Sequence, residues 1–449
     1  MARHAAVATD AADGAPDWHA RQNRLSRFSR FGHLSRLRHP GIGRSIAATA
    51  GFNLTVNAAA SVGGIIIARA IGPTVRGEYA AVTSWLGVAL IVGELGLPIA
   101  LCFYVAHDRQ RASAYVATSR AMMITTGTVA LIAGMALAPV LAHGHPGLAT
   151  AYRIAFACLL ISCVGDSFTF ALMGRDLQLW NKVRLSQPLV ALTAVVVAWR
   201  LHVLTLDTAL LVLIGSLLIQ LCLAYWGCRR AGLVPARYSI ALVRPLAGYG
   251  IAQMVAIAPA SVNAYLDQLV LSVTVPPADL GRYSIAVSMT LLPTPLVSAI
   301  GYVLLPKLAA GEVRSTRTHE VQRNAVLASI VLAVAVLAPL VLAAPWLVPL
   351  VFGPAYRGVV PLLWILAPGG IFLSCGQVVA NLLRGQKRQL AVAKAEGIAL
   401  IFTLVLLGAL LPVFGVTGAA MASSIPYGVS LALMLRSLRR LPLETHEGA

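Results

Sequence analysis

Three carboxylates lie inside otherwise apolar stretches of the sequence: Glu94, Asp166 and Asp267. A charged group is costly to bury in such a stretch, so each one suggests ion coupling, a polar cavity or a partner that holds an arginine. Amides accompany them, because Asn53 and Asn57 lie one helical turn apart and Asn263 precedes Asp267 by one turn. We predict that these residues line a substrate cavity. The alternative for each is a structural ion pair or a hydrogen bond between neighbouring helices.

Four basic residues recur at the ends of apolar stretches in the two halves of the chain: Arg120, Arg323, Lys182 and Lys394. Because a pyrophosphate carries dense negative charge, cations in these places are candidates for capturing an anionic headgroup. The alternative is that they only fix the orientation of the chain in a membrane.

The sequence gives no pattern typical of an enzyme or a metal site. Its histidines lie in separate connections, and its six cysteines show no C-x-x-C spacing. Cysteines inside apolar stretches are typical of small buried side chains. We therefore predict no catalytic residues, no cofactor and no bound metal.

The composition indicates a membrane protein. Of the 449 residues, 58% are hydrophobic and 11% are charged, against about 45–50% and about 25% in soluble proteins. This excludes a soluble enzyme, a disordered scaffold and a secreted disulfide protein. The formal net charge is +19, but the basic residues lie in short connections and form no basic domain. Nucleic acid is therefore not a predicted partner.

Twelve stretches are long and apolar enough to cross about 30 Å of hydrocarbon as helices. They are residues 45–70, 79–104, 115–142, 151–173, 185–201, 207–227, 245–273, 282–305, 324–343, 359–383, 390–411 and 416–435. With the N-terminus in the cytoplasm, 29 Lys and Arg residues lie on the cytoplasmic side and six on the outer side. The first stretch follows a basic tail and is predicted to be a retained span. We predict a multi-pass protein of the bacterial cytoplasmic membrane with both termini in the cytoplasm.

An internal repeat divides the chain. The frame P-x-x-x-G-x-Y occurs at residues 73–79 and 277–283, and the frame G-x-x-x-Q-L occurs at residues 174–179 and 385–390. Six spans per repeat is an even number, so both halves enter the membrane from the same side. This predicts an all-α polytopic protein whose twelve transmembrane helices form two six-helix lobes, related by a pseudo-two-fold axis along the membrane normal. Convergent loop chemistry is the alternative explanation.

The predicted organisation has five parts. They are a basic cytoplasmic tail (1–44), a first six-helix bundle (45–228), a cytoplasmic linker (229–244), a second bundle (245–435) and a C-terminal cytoplasmic tail (436–449).

The repeat residues also carry a family resemblance. The segments that carry it are Ala68–Pro73 with Gly77–Tyr79, Glu94–Leu97, Asp267 followed by Gly281–Ala286, Val351–Tyr356, Gly385–Arg388 and Phe414–Ala420. From about Ser45 to Arg436 the chain resembles Wzx-type polysaccharide flippases. These belong to the multidrug/oligosaccharidyl-lipid/polysaccharide exporter superfamily.

The resemblance implies a V-shaped pair of six-helix bundles. It also implies alternating-access transfer of an oligosaccharide linked to undecaprenyl pyrophosphate from the inner to the outer leaflet, for surface polysaccharide synthesis. The implied partners are the polyprenyl-linked glycan, membrane lipids and polysaccharide-assembly proteins. The related lipid II flippases are associated with cationic cavities, whereas this sequence has no Lys or Arg clearly at mid-span.

A proton- or sodium-coupled multidrug antiporter of the same superfamily is the alternative function. Such antiporters typically carry a carboxylate in the first helix for ion coupling. The first stretch of this chain has none between Ser45 and Ala68, which favours the flippase.

Overall fold

The structure is a computed structural model that describes residues 40–235, 237–309, 315–386 and 388–439. Within these ranges every regular element is a helix, and the chain from Ile46 onwards forms one compact unit. Most of the predicted N-terminal tail (1–39) and the last ten residues of the predicted C-terminal tail (440–449) lie outside the described residues. The predicted boundaries between the five parts therefore stay predictions.

The helices follow one another with short connections. In chain order they are α1 (Pro40–Glu94), α2 (Leu97–His107), α3 (Ala112–Leu141), α4 (Pro146–Arg175), α5 (Leu177–Arg200), α6 (Leu206–Arg230), α7 (Val243–Thr274), α8 (Pro277–Thr290), α9 (Thr294–Ala309), α10 (Ser315–Phe352), α11 (Val359–Gly385) and α12 (Gln389–Arg439). Short 3₁₀ turns precede α7 and α11, at Ile240–Leu242 and Pro354–Tyr356.

Two of these helices each contain two membrane crossings. Ten helical segments of the described chain are long and apolar enough to cross a membrane, and those in α1 and α12 span 44 and 51 residues. At about 1.5 Å per residue, each is roughly twice the thickness of the hydrocarbon layer. Gly72 (φ 76°) bends α1, and Gly415 (φ 58°) bends α12. We call the arms α1a (40–71), α1b (73–94), α12a (389–414) and α12b (416–439). The described residues thus hold the predicted twelve crossings.

The connections between crossings alternate between two faces of the molecule. We call one the basic face, because its connections are those that the sequence makes rich in Lys and Arg. It carries residues 108–111, 176, 231–235, 237–239, 386 and 388. The opposite face carries residues 142–145, 201–205, 275–276, 353–358 and the bends at Gly72 and Gly415.

The second crossing is broken, whereas the sequence predicts one continuous span. Leu95 and Gly96 have positive φ values of 48° and 69°, and α2 restarts with Pro98 in its first turn. A Cβ atom on Gly96 would lie 2.2 Å from the carbonyl oxygen of Gly250. The helix therefore breaks where a glycine lets its backbone touch that of α7, and only glycine adopts this conformation without strain.

The ninth crossing is longer than the sequence predicts. The prolines Pro345 and Pro349 suggest an interfacial stretch after residue 343, but α10 continues through both to Phe352. Pro345 has no N–H for the carbonyl of Val341, one turn earlier. That carbonyl instead accepts a hydrogen bond from Nε1 of Trp364 on α11, at 3.2 Å. A neighbouring helix thus satisfies the group that proline leaves free.

Each lobe is built around one central helix. In the first lobe α4 packs against α2, α3, α5 and α6, and in the second α11 packs against α8, α9, α10 and α12. In both helices 56% of the most apolar stretch of 18 residues is buried, which is the largest share among the described crossings. They are the fourth and tenth crossings, which occupy equivalent positions in the two repeats. The predicted two-lobe arrangement therefore agrees with the packing.

The two repeat frames touch each other. A Cβ atom on Gly77 would lie 1.6 Å from the carbonyl oxygen of Pro277, and one on Gly281 would lie 1.9 Å from that of Pro73. Each frame thus packs its glycine against the proline carbonyl of the other. Such a reciprocal contact is what a two-fold axis between equivalent surfaces produces. It agrees with the pseudo-two-fold relation predicted from the repeat.

The lobes are joined toward the opposite face along a zone that we call the seam. Its polar contacts run from Ser84 Oγ to Gln268 Oε1 (3.2 Å), from Trp85 Nε1 to Ser272 Oγ (3.0 Å), from Arg69 Nη1 to the carbonyl of Leu350 (2.9 Å) and from Tyr356 Oη to the carbonyl of Ala68 (2.8 Å). The Gly77–Gly281 contact completes it. Burial raises the pKa of Tyr356 to about 12, so its hydroxyl stays protonated and donates.

The apolar core divides toward the basic face. On the opposite side one cluster of buried residues includes members of both lobes, such as Leu86 and Tyr283. On the basic side one cluster lies within the first lobe with α7, around Leu101, and another within the second lobe, around Val379. Apart from α7, which packs against the first lobe, the lobes share a core on the opposite side and have separate cores on the basic side, as in a V that opens toward the basic face.

Candidate functional site

A cavity of about 540 Å³ lies inside the V, lined mainly by the second lobe. Its polar lining comes from Asn57 on α1a, Thr294 on α9, Gln377, Asn381 and Arg384 on α11, and Glu396, Tyr427 and Ser430 on α12. Phe372, Leu373 and Met434 add apolar surface. Amides, hydroxyls and one residue of each charge, set among apolar side chains, make a binding surface for a polar ligand.

One face of α11 supplies a polar stripe. Gln377, Asn381 and Arg384 are spaced by four and three residues, which places them on the same side of the helix. Arg384 Nη1 donates to Asn381 Oδ1 at 3.3 Å. Arg384 lies in the last turn of α11 at the basic face, and Gln377 lies about 10 Å deeper, at about 1.5 Å per residue.

Glu396 and Tyr427 face the same cavity from the two arms of α12. Ser430 Oγ donates to Glu396 Oε1 at 3.1 Å, which ties α12b to α12a. Tyr427 also lines a second cavity of about 60 Å³ that lies deeper in the lobe. Tyr427 is thus common to the linings of the two spaces, as are Ala264, Leu291 and Leu373.

The predicted amides of the first span have different positions. Asn57 is exposed and lines the cavity. Asn53 is half-buried, and its Oδ1 accepts a hydrogen bond from Arg184 Nη2 on α5. The guanidinium of Arg184 also lies over the ring of Trp180, 4.3 Å from its centroid. The structure thus ties Asn53 to an arginine of its own lobe.

Glu94 and Asp166 meet inside the first lobe. Their carboxyl groups lie within hydrogen-bonding distance of each other. Glu94 is the last residue of α1b, directly before the break at Leu95 and Gly96, and Asp166 lies on the central helix α4. Two carboxyl groups form a hydrogen bond only when one of them holds a proton. When one of the two groups is protonated, it can donate to the other.

Asp267 is held in a ring of hydroxyl groups. Tyr283 Oη donates to Asp267 Oδ2 at 2.5 Å, Ser423 Oγ donates to the same oxygen at 3.1 Å, and the two hydroxyls are 2.9 Å apart. The backbone N–H of Gln268 donates to Asp267 Oδ1 at 2.7 Å. Asp267 is 6% exposed and lines the 60 Å³ cavity. Asn263, one turn earlier, is also buried, and its Oδ1 has no hydrogen-bond partner among the described residues.

The four candidate cations for headgroup capture lie on four different helices. Arg120 is half-buried, with its guanidinium 5.2 Å from the ring centroid of Phe168 on α4. The other three are exposed: Lys182, Arg323 and Lys394. None of the four is among the described residues that line the 540 Å³ cavity. Headgroup capture by these residues stays a prediction.

Comparison with known proteins decides the family. The model of the family described as polysaccharide biosynthesis protein matches residues 42–312, more than half of the chain. The chain belongs to this family. The membership confirms the resemblance found in the sequence.

A curated relative of this polysaccharide biosynthesis protein is an uncharacterised membrane protein of Methanocaldococcus jannaschii. It is 24% identical over 208 residues, which are 45% of this chain and 41% of the relative. The chain thus matches about two-fifths of the length of that protein.

Solved structures with the same fold are transporters of the predicted superfamily. A lipid II flippase, MurJ, in an inward closed conformation has a TM-score of 0.71 at 11% identity, over 87% of this chain and 88% of that one. A multidrug resistance MATE family transporter in an inward-facing conformation has a TM-score of 0.69 at 13% identity, over 87% and 98%. These likenesses establish the all-α, two-lobe fold of this polysaccharide biosynthesis protein.

Sequence reasoning missed much of the cavity lining of this family member. Gln377, Asn381, Arg384, Glu396 and Tyr427 did not enter the candidate set. Their signal was available, because the polar stripe of α11 has helical spacing and Glu396 lies inside the eleventh predicted span. In the sequence, Arg384 is one of the 29 Lys and Arg residues that lie on the predicted cytoplasmic side.

Proposed function

We propose that this protein flips an oligosaccharide linked to polyprenyl pyrophosphate across the bacterial cytoplasmic membrane, by alternating access. The observation that carries the proposal is the 540 Å³ cavity with its amide-rich lining and Arg384 at the basic face. Membership of the polysaccharide biosynthesis protein family supports it. So does the fold shared with a lipid II flippase.

The basic face is the cytoplasmic face in this proposal, with both chain termini in the cytoplasm. Connections rich in Lys and Arg are retained on the cytoplasmic side of bacterial membrane proteins. The V is then open to the compartment in which lipid-linked oligosaccharides are assembled, and the seam closes the outer side.

The polar groups of the cavity lie at depths in the membrane that match the pyrophosphate and the sugars of such a substrate. Arg384 lies at the level of lipid headgroups, where a guanidinium can bind the pyrophosphate. Asn381 and Gln377 lie deeper on the same stripe, where amides can pair with sugar hydroxyls. The polyprenyl chain stays in the lipid beside the lobes, because transferring its apolar surface into a polar cavity is unfavourable.

The proposal predicts what is lost and what accumulates when the protein is absent. Deletion of the protein should leave lipid-linked oligosaccharide on the inner leaflet and remove the surface polymer. Arg384→Gln should restore less than about a tenth of the wild-type transport, because losing a charge-assisted contact to a phosphate costs about 1.5–3 kcal/mol. The amount of polymer is measured by labelling it on the surface of intact cells. The amount of the lipid-linked intermediate is measured after extraction of the membranes.

Arg357→Gln is the matched control, because Arg357 is an exposed arginine of the opposite face and should be dispensable. Full transport by Arg384→Gln, at normal protein levels, would contradict the assignment of the site.

Polysaccharide-assembly proteins are the partners that this function implies.

A proton- or sodium-coupled multidrug antiporter is the second candidate. The carboxyl pair Glu94–Asp166 in the first lobe favours it, because ion-coupled antiport needs a buried group that exchanges a cation. Unchanged surface polysaccharide in the deletion strain, with loss of resistance to cationic drugs, would select this function over the flippase.

A further inference from the structure

The 540 Å³ cavity holds its two charged residues at different depths. Arg384 lies in the last turn of α11, at the basic face. Glu396 follows Gln389, the first residue of α12a, by seven residues. At about 1.5 Å per residue, Glu396 lies about 10 Å inside the basic face, which is about the depth of Gln377 on α11. The cavity therefore has a cation at its rim and an anion among the amides below it.

The carboxylate of Glu396 has one oxygen that is held in place and one that a ligand can use. Oε1 accepts the hydrogen bond from Ser430 Oγ at 3.1 Å. In the described part of the chain no other group bonds to this carboxylate, and no basic group lies within ion-pair distance of it. Glu396 is half-buried and lines the cavity. Its Oε2 can therefore accept from a hydroxyl group of a bound sugar.

Binding of a pyrophosphate changes the charge balance of this cavity. Among the described residues that line it, Arg384 is the only Lys or Arg. In the empty cavity the positive charge of Arg384 acts on Glu396. A pyrophosphate bound to Arg384 carries more negative charge than one guanidinium cancels. Glu396 then faces the sugars of the substrate without a compensating cation.

An acidic sugar at the depth of Glu396 would bring a second carboxylate beside the first. Phe372 and Leu373 make part of the surrounding wall apolar, so water screens the two charges incompletely. Repulsion of this kind is strong enough to lower affinity at least about tenfold. A neutral sugar instead donates a hydroxyl hydrogen to the carboxylate in a charge-assisted hydrogen bond. Binding sites select among ligands by repelling the wrong one as well as by contacting the right one.

We propose that Glu396 determines which glycans enter the cavity. It admits glycans whose sugars next to the pyrophosphate are neutral or carry an amine, and it rejects glycans with acidic sugars there. This inference rests on the proposed function and adds the chemical class of the glycan.

The test compares two substrates that differ only in the charge of their sugars. Both are polyprenyl pyrophosphates that carry a disaccharide, made of glucose in one and of glucuronic acid in the other, so that carboxylates replace hydroxymethyl groups. Their affinities for the purified full-length protein are measured in detergent at constant salt. The wild type should bind the glucose substrate at least about tenfold more tightly than the glucuronic acid substrate.

Glu396→Gln keeps the shape of the side chain and removes its charge. This variant should bind the glucuronic acid substrate at least about tenfold more tightly than the wild type does, because the repulsion is gone. Glu396→Asp keeps the charge and should keep the preference for glucose. Glu320→Gln is the matched control, because Glu320 is an exposed glutamate of α10 that is not among the residues lining the cavity. It should leave both affinities unchanged.

Gln377→Lys tests the same idea without changing Glu396. It places a cation at about the same depth on α11, and it should also raise the affinity for the glucuronic acid substrate. This second variant keeps the proposal open to contradiction if Glu396→Gln does not fold.

Equal binding of the two substrates by the wild type would overturn the role of Glu396 and leave the proposed function intact. A glucuronic acid affinity that stays at the wild-type value in folded Glu396→Gln, or in Gln377→Lys, would overturn it as well. Binding of neither substrate by the folded wild type would instead overturn the proposed function, and the role of Glu396 with it.

Discussion

At the scale of single residues, the carboxyl pair of Glu94 and Asp166 is the clearest test of how this chain holds charge in a membrane. Replacing Glu94 with alanine removes the partner of the Asp166 carboxyl and should lower the free energy of unfolding by about 2 kcal/mol. Asp166→Ala should do the same. The double variant should cost at least about 1 kcal/mol less than the sum of the single variants, because the second change removes the group that the first left unpaired.

Thermal unfolding in one detergent at one pH measures these differences. Asp279→Ala is the control, because its partner Arg282 is 34% exposed and the bond between them is 2.9 Å long at the surface. Surface ion pairs contribute about 0–1 kcal/mol. Strictly additive losses for Glu94 and Asp166 would show that the two carboxyl groups do not support each other.

At the scale of helices, the seam depends on glycines that have no room for a side chain. In Gly77→Ala the new Cβ would lie 1.6 Å from the carbonyl oxygen of Pro277, and backbone cannot move aside without separating α1b from α8. We expect this variant to favour a state with the seam open. A cysteine at Ser84, which is 3% exposed and bonded to Gln268, should then react with an impermeant thiol reagent from the outer side at least about tenfold faster.

Gly64→Ala is the matched control for this variant. Gly64 lies on α1a, where an added Cβ would have no atom within 4 Å. It should leave the reaction rate of the cysteine unchanged. Equal rates in Gly77→Ala and Gly64→Ala would show that the frames do not close the seam.

The helices also show why some boundaries could not be predicted. The apolar pattern predicts α10 only to residue 343, because prolines remove helical hydrogen bonds. The helix continues because Trp364, on another helix, donates to the carbonyl that Pro345 leaves free. In the same way, the break before α2 depends on Gly250 of α7, which approaches Gly96 from a distant part of the sequence. Both outcomes rest on contacts between segments that no local pattern contains.

At the scale of the whole molecule, the alternation of faces predicts which connections an impermeant reagent reaches. In a variant without the native cysteines, single cysteines at Gly144, Asp279 and Arg357 should be labelled from outside intact cells. A cysteine at Arg237 should be labelled only after the membrane is opened. Outside labelling at Arg237 would contradict the twelve-span topology with the basic face in the cytoplasm.

The number of crossings, their alternation and the relation between the halves were determined by the sequence alone. Apolar length and the distribution of Lys and Arg are local quantities, and the bilayer converts them directly into topology. The frames at 73–79 and 277–283 marked the repeat, and the structure then showed that they touch each other. These features need no knowledge of which helix packs against which.

The tertiary structure alone decided which polar residues face one another. Glu94 contacts Asp166, and Asp267 contacts Tyr283 and Ser423. These partners lie on different helices, so the spacing of residues within one helix does not predict their contacts. The sequence assigns Arg384 only to the cytoplasmic side of the membrane. The structure places it in the cavity lining, because the polar stripe of α11 faces the space between the lobes. The physical reason is that helix rotation is set by packing against neighbours. In an apolar solvent the sequence of one helix constrains its depth far more strongly than the direction in which its polar face points.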